Sequence, residues 1–330
     1  MNDYQPNLIG LEETGNKSQF PIVAQLGILS LVFVGLFGSY AWNKISAPPV
    51  EPEEQQVYTT DPKEYPIVPQ KIEKVSVEAQ AVFVWDVREK RELFSKNADE
   101  QLPLASITKL MTALLAHELI EENTTVSITD SAIKQDGSSG LSPGEKLKVT
   151  ELLELTLVSS SNDAAYALGA SVGQLLGNDD PMSQFVRGMN IRAAELGLSS
   201  LDFKNTTGLD LTASVPGAVG SARDISILMD YIVTKYPEII EPTQLTKTRI
   251  YNATGAYHEA ENTNEVAAKI PSMIGSKTGY TDLAGGNLTV AFDAGLNRPI
   301  IITVLGSTRE GRFEDVLTLI SAVQESLSEQ

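Results

Sequence analysis

The sequence contains no cysteine and only two histidines, His117 and His258, in 330 residues. The first absence excludes disulfides, thiolate metal sites, iron–sulfur clusters and a cysteine nucleophile. The second leaves a histidine-dependent triad poorly supplied. With no HExxH spacing, a zinc hydrolase also lacks its usual ligands. Basic residues are in deficit as well: 25 Lys and Arg stand against 43 Asp and Glu, for a net charge of −18. No Lys/Arg cluster offsets that deficit, so a nucleic-acid backbone would be repelled. No internal repeat is present.

One long apolar run is present. Pro21 to Trp42 reads PIVAQLGILSLVFVGLFGSYAW and carries no charge. It matches the roughly 20 residues that span a bilayer as a helix. Tyr40 and Trp42 stand near one end, where amphipathic rings favour the membrane interface. A buried core helix and a cleaved signal peptide are the alternatives. Against cleavage, Asp3, Glu12 and Glu13 outnumber Lys17 before the run, so there is no basic n-region. A small-x-small site is visible only weakly, around Gly38 to Ala41. The expectation is therefore an uncleaved transmembrane helix over residues 21–42 after a cytoplasmic tail, 1–20. Lys17 and Lys44 flank it on opposite sides, so charge alone leaves its orientation open. Residues 43–74 follow as a proline- and acid-rich linker, including APPVEPEEQQVYTTDPKEYPIVPQ over 47–70.

A folded domain is expected over 75–330. AQAVFVWDV (79–87) and RELFSKN (91–97) read as strands joined by a short turn. From Ser106 a helical period begins, with Ile107, Leu110, Met111, Leu114, Leu115 and Leu119 on one face. Residues 150–177 are helical except for the polar Ser159–Asp163. Residues 182–197 form another helix, closed by Gly197, and Ser221 opens a further one. NLTVAFDA (287–294) and RPIIITVLGS (298–307) read as a hairpin before a last helix near 311–328. Strands at both ends with helices between predict an α/β body. Its mostly antiparallel sheet is closed by the N- and C-terminal strands and carries flanking helices and an inserted helical lobe.

Three short strings carry chemistry: Ser106-Ile107-Thr108-Lys109, Ser160-Ser161-Asn162 and Lys277-Thr278-Gly279. Together they supply the parts of an acyl-transfer site that needs no histidine. At an i, i+3 spacing Lys109 falls on the same helix face as Ser106, one turn on. A desolvated lysine near a second cation has its pKa lowered enough to act as the serine's base. Ser160 could relay a proton and Asn162 could bond a substrate amide, although a helix N-cap explains the same residues. Lys277, on a strand edge, could attract a carboxylate to which Thr278 donates, while Gly279 admits close approach. The first two strings have duplicates at Ser131–Lys134 and Ser95–Asn97. GSKTG is not a P-loop, which needs Gly directly before Lys.

Order and context select among these matches. From about Val75 onward the chain resembles the serine-type D-alanyl-D-alanine carboxypeptidases, the low-molecular-mass penicillin-binding proteins of the β-lactamase/transpeptidase-like fold. The likeness runs through LASITKLMTALLA, SSGLSPGEKLKVTELLELTLVSSSNDAA, FKNTTGLD, SARDISILM and SKTGYTDLAGGNL, and the duplicates lack such surroundings. The resemblance implies that Ser106 is the acylated nucleophile and Lys109 its base. Ser160 assists proton transfer, and Asn162, Lys277, Thr278 and Gly279 hold substrate. The backbone N–H groups of Ser106 and Tyr280 form the oxyanion hole. The implied substrate is a peptidoglycan stem peptide ending in D-Ala-D-Ala, β-lactams are covalent inhibitors, and no metal or organic cofactor is implied. Many relatives carry a further C-terminal β-rich domain and an amphipathic anchor helix, whereas here the apolar run precedes the domain. A wall substrate requires the N-terminus inside and the body outside the cytoplasmic membrane of a bacterium.

Three alternatives use the same features. A β-lactamase needs an efficient deacylating group, for which Glu238 and Glu241 are the available carboxylates. A D,D-endopeptidase uses the same site. A non-catalytic wall-binding protein would keep the fold alone. His117 reads as a packed or surface residue, His258 as one that could approach substrate, and Arg223–Asp224 as a helix cap with structural contacts.

Overall fold

The computed structural model describes residues 71–328, apart from 73, 138, 139, 178 and 296. The apolar run 21–42 and the linker up to residue 70 lie outside the described residues. Among the described residues no helix is long and apolar enough to cross a membrane.

Five strands form the central sheet: β1 Ala81–Asp86, β2 Arg91–Lys96, β3 Met273–Thr281, β4 Gly285–Asp293 and β5 Pro299–Ser307. Their spatial order is β3-β4-β5-β1-β2, with every pairing antiparallel. The two ends of the domain thus close one sheet through β1 and β5, in the register Val82–Val304 and Val84–Ile302. This is the α/β architecture expected from the sequence. Ile72 already belongs to the packed body: it is buried, and its N–H donates to the Leu93 carbonyl at 2.9 Å.

Alternation along the strands sends residues to opposite faces. Val82, Val84, Leu288, Val290, Phe292, Ile300, Ile302 and Val304 pack with Phe313, Val316, Leu319 and Ile320 of the last helix, Gly311–Ser328. Phe83, Ala291, Ile301 and Leu305 face the other core, shared with the helical lobe. On that side a buried hydroxyl chain, Ser226–Thr303–Thr289, joins helix Ala222–Lys235 to the sheet at 2.7 Å per step.

The longer helices are α1 Lys109–Leu119, α2 Val149–Leu157, α3 Asn162–Leu176, α4 Pro181–Glu195, α5 Ala222–Lys235 and α6 Gly311–Ser328. Side chains cap three of them: Ser161 for α3, Asp180 for α4 and Ser221 for α5 each accept a backbone N–H. Gly197, at φ +74°, ends the α4 segment as expected. Arg223 pairs with Asp99 and Glu92, and Asp224 accepts from Ser200, so both make the structural contacts expected of them.

The longest of the unforeseen elements is the hairpin Lys247–Tyr251 with Tyr257–Glu261. Only Ile250 and Ala260 of its ten paired residues are buried, so it lacks the apolar alternation that marks a strand.

Candidate active site

The first string starts before α1, in a single 3₁₀ turn over Ala105–Thr108 that passes into the helix at Lys109. The turn is held from the sheet: Asn287 on β4 donates to the Pro103 and Leu104 carbonyls at 2.9 and 3.1 Å. Ala105 takes φ +47°, a conformation L-residues rarely adopt. The turn exposes Ser106 partly and buries Lys109 completely.

The Lys109 amine lies 2.8 Å from Ser106 Oγ, 2.6 Å from Asn162 Oδ1 and 2.9 Å from the Thr207 carbonyl. Two of these neighbours only accept hydrogen bonds. A neutral amine has two hydrogens and one lone pair, so its hydrogens go to Asn162 and Thr207 and its lone pair faces the serine hydroxyl. Burial, and then the charge of Lys277, hold Lys109 well below the ordinary lysine range. The lowered pKa favours the neutral amine, and the 2.8 Å contact is the geometry that proton transfer from Ser106 requires.

The second string lies at the break between α2 and α3. Ser160 adopts φ +59°, Ser161 caps α3 by accepting from Ala164 N–H at 3.0 Å, and Asn162 is the first helical residue. The N-cap explanation holds for Ser161, and Ser160 and Asn162 stand on either side of it. The strained Ser160 backbone turns its side chain towards the sheet, where Lys277 Nζ donates to Ser160 Oγ at 2.9 Å. Asn162 spans two groups, accepting from Lys109 and donating through Nδ2 to the Asp136 carbonyl at 2.5 Å. One hydrogen and one lone pair of its amide remain for a ligand.

The third string lies on β3, the edge strand of the sheet, as its expected role requires. Lys277 is buried, and its amine also donates to the Thr278 carbonyl at 2.9 Å. Burial and the neighbouring Arg312 bring its pKa down to about 7. Thr278 Oγ1 shares a 2.6 Å hydrogen bond with Thr263 Oγ1. A Cβ on Gly279 would stand 2.8 Å from the Leu104 carbonyl and 3.2 Å from Ser106 N. This glycine therefore lets the strand press against the Ser106 turn, a contact within the chain in addition to the substrate approach expected of it. The contact brings the Ser106 backbone beside the strand that continues into Tyr280.

Sequence reasoning missed several parts. Thr207 offers its carbonyl from the NTTG stretch, where Gly208 at φ +80° leaves no room for a side chain: a Cβ there would fall 1.8 Å from the Ala105 carbonyl. The Asn205–Gly208 turn residues were the available signal. Arg312, on α6, donates to the Gly279 carbonyl at 2.8 Å, and nothing local marks it out. A cavity of about 1080 Å³ adjoins this site only through Asp136 and Thr207.

Other candidates lie elsewhere. Ser131 is exposed and precedes a separate 3₁₀ turn, Ala132–Lys134. His258 is on the hairpin, bonded to Glu145 at 2.6 Å. His117 lies on α1, about 12 Å along the axis from Lys109, between Glu122 at 3.2 Å and Glu238 at 3.4 Å. Those three residues are the one group of potential metal ligands among the described residues. Glu241 lines a small cavity with Glu154 and Glu238, so neither glutamate considered for deacylation is among the groups bonded to Ser106 or Lys109.

Comparison with known proteins gives the family and the fold. Residues 68–309 match the profile of the D-alanyl-D-alanine carboxypeptidase family. The chain is similar to D-alanyl-D-alanine carboxypeptidase DacF of Bacillus subtilis, 32% identical over 234 residues, covering 69% of this chain and 57% of that protein. It is similar to a D-alanyl-D-alanine endopeptidase of Haemophilus influenzae, 32% identical over 228 residues, covering 64% of this chain and 69% of that one. Among solved structures, Penicillin-Binding Protein D2 of Listeria monocytogenes in its ampicillin-bound form superposes with a TM-score of 0.65 at 27% identity, over 76% of this chain and 99% of its own.

Proposed function

The chain belongs to the D-alanyl-D-alanine carboxypeptidase family, and on that premise we propose that it removes the terminal D-alanine from peptidoglycan stem peptides. The observation that carries this reading is the meeting of two buried amines in one site, each beside a serine hydroxyl. Ser106 Oγ attacks the carbonyl carbon of the penultimate D-alanine as its proton passes to the neutral Lys109 amine. The oxyanion lies against the backbone N–H groups of Ser106 and Tyr280. The C–N bond then breaks, and the departing amine takes the proton held by Lys109, relayed through the Ser160 hydroxyl, which returns Lys109 to its neutral form while Lys277 keeps its charge. Water attacks the Ser106 ester, its proton passing to Lys109 and on to the serine, which frees the shortened peptide. Charged Lys277 and the Thr278 hydroxyl hold the terminal carboxylate, Asn162 takes the substrate amide and Gly279 keeps the strand close. A β-lactam enters the same path and stays on Ser106.

The same chemistry cuts a cross-link whose acyl donor is D-alanine. The Haemophilus relative, named an endopeptidase, is the observation that keeps this second reading in play. For location we propose that residues 21–42 anchor the chain in the bacterial cytoplasmic membrane, with 1–20 inside. Residues 43–70 then tether an extracytoplasmic domain whose packed body already includes Ile72. The uncharged apolar run and the wall substrate support that arrangement. Fractionation of the full chain against a variant lacking 1–42 checks it: the full chain should sediment with membranes and the shortened one should not.

Mass spectrometry of the intact protein after benzylpenicillin, followed by peptide mapping, tests the chemistry. A single adduct on Ser106 is expected, together with D-alanine release from an acyl-D-Ala-D-Ala peptide. An adduct on Ser131, or none, would overturn the reading.

A further inference from the structure

We propose that Glu145 and His258 are positioning residues for the Ser106 site: their bond closes a ring of contacts that sets the spacing of the two walls of the cleft. The catalytic consequence rests on the function proposed above; the ring itself does not.

One arm of the ring starts at Asn162, whose amide donates to the Asp136 carbonyl. Asp136 follows the 3₁₀ turn Ala132–Lys134, which is closed by Ala132 N–H on the Thr129 carbonyl at 3.1 Å. The preceding residue, Ile128, exchanges backbone bonds with Gly144 and Glu145, both 2.8 Å. The other arm starts at Thr278, bonded to Thr263. Thr263 follows the strand Tyr257–Glu261, which carries His258, and Thr263 N–H donates to the Val158 carbonyl at 3.2 Å.

The arms meet at the Glu145 carboxylate. Oε1 receives His258 Nε2 at 2.6 Å and Asn252 Nδ2 at 2.7 Å, and Oε2 receives the Ser142 N–H at 3.0 Å. Burial pushes this carboxyl up, but the bonds from Asn252, His258 and Ser142 outweigh it and hold it below the usual glutamate range. Only 9% of the Glu145 side chain and 17% of His258 is exposed. A charge-assisted bond shielded in this way is stronger than a neutral one and fixes both partners' rotamers. With the Asn252 bond to the same carboxylate, and the Ala253 N–H on the Lys146 carbonyl at 2.9 Å, it joins hairpin and loop.

Asn162 and Thr278 grip different parts of one substrate in the proposed reaction, so their separation decides how well it is aligned with Ser106. His258 thus acts on the substrate through the walls and not by contact.

The test compares the wild type with H258A, H258Q and E145Q. Acylation by fluorescent penicillin, release of D-alanine, melting temperature and amide hydrogen exchange are followed. H258A is expected to acylate about 10-fold more slowly, with exchange accelerated at the segments around Ser160–Asn162 and Lys277–Gly279. H258Q, which keeps a donor towards Glu145, should stay within about 3-fold of wild type. The proposal is overturned if H258A keeps wild-type acylation and exchange at both walls. It is also overturned if H258Q loses as much as H258A, or if exchange accelerates evenly over the chain with a matching fall in melting temperature. Should H258A fail to fold, E145Q is read by the same criteria, with a rate loss and wall-localised exchange expected. If the wild type itself takes up no penicillin, the proposed function fails, and the exchange pattern alone decides the ring.

Discussion

The two serine–lysine pairs in the cleft are built by opposite means. Ser106 and Lys109 are three residues apart, and a single turn of backbone sets their 2.8 Å contact. Ser160 and Lys277 are 117 residues apart and meet at 2.9 Å only because a helix break in the lobe faces the edge strand of the sheet. The amines differ as well. Lys109 is saturated by two acceptors and one hydroxyl and is depressed chiefly by burial, then by Lys277. Lys277 has Arg312 as its cationic neighbour and is held at about 7, close enough to neutrality to carry charge when a carboxylate arrives. In the proposed reaction the local pair supplies a constant base, and the long-range pair supplies a charge that depends on how the lobe and sheet meet.

The sharpest way to break this comparison is to remove each pair in turn. Ser106→Ala should abolish penicillin adduct formation. Lys109→Ala should slow acylation by at least about 10³-fold, roughly 4 kcal/mol of transition-state stabilisation. Ser160→Ala should cost less, about 10- to 100-fold, because water can replace a relay hydroxyl but not the base. Stopped-flow acylation with a reporter β-lactam measures all three. An equal loss at Lys109 and Ser160 would mean that the two pairs act as one unit.

The junction between the pairs can be strained without touching either. Gly279→Ala places a methyl 2.8 Å from the Leu104 carbonyl and 3.2 Å from Ser106 N. Overpacking of this kind costs about 1–3 kcal/mol, so acylation should fall about 10-fold and the melting temperature by several degrees. If the strand alone were affected, KM for a D-Ala-D-Ala peptide would rise with penicillin acylation unchanged; loss of both is expected, because the contact reaches the nucleophile turn.

The same contrast explains what the sequence made legible. Periodicity located β1, β2, β4, β5 and the six helices because each buries a regular face. The i, i+3 pair could be derived from local geometry alone. Ser160, Asn162 and Lys277 could not be brought together by any local rule, and they were selected through their flanking segments. Ser161 shows why residue type alone misleads: it is the N-cap, and its neighbours on both sides line the site. The hairpin at Lys247–Glu261 escaped because it is polar on nearly every position, and with it went the place of His258. Arg312 and Thr207 escaped for a different reason. One acts through its charge from the last helix and the other through a main-chain carbonyl, and neither leaves a side-chain pattern to read.

Arg312 offers the smallest and most specific perturbation of the long-range pair. In the proposed reaction Lys277 must be charged to hold a carboxylate, and its pKa is lowered to about 7 by burial and by Arg312. Activity that needs this charge is therefore present below about pH 7 and is lost as pH rises through that value. Lys109 must be neutral, so activity is also lost at low pH, and kcat/KM should be bell-shaped. Arg312→Gln keeps a donor for the Gly279 carbonyl but removes the cation, which favours protonated Lys277 and raises its pKa. The alkaline limb should then move upward. The acid limb should shift, if at all, downward, because Lys277 keeps its charge over a wider range and depresses Lys109 further. The variant's optimum should broaden with little change in its height, as measured by D-alanine release across pH 5 to 10. An alkaline limb that stays in place or moves down would show that something other than Lys277 sets it.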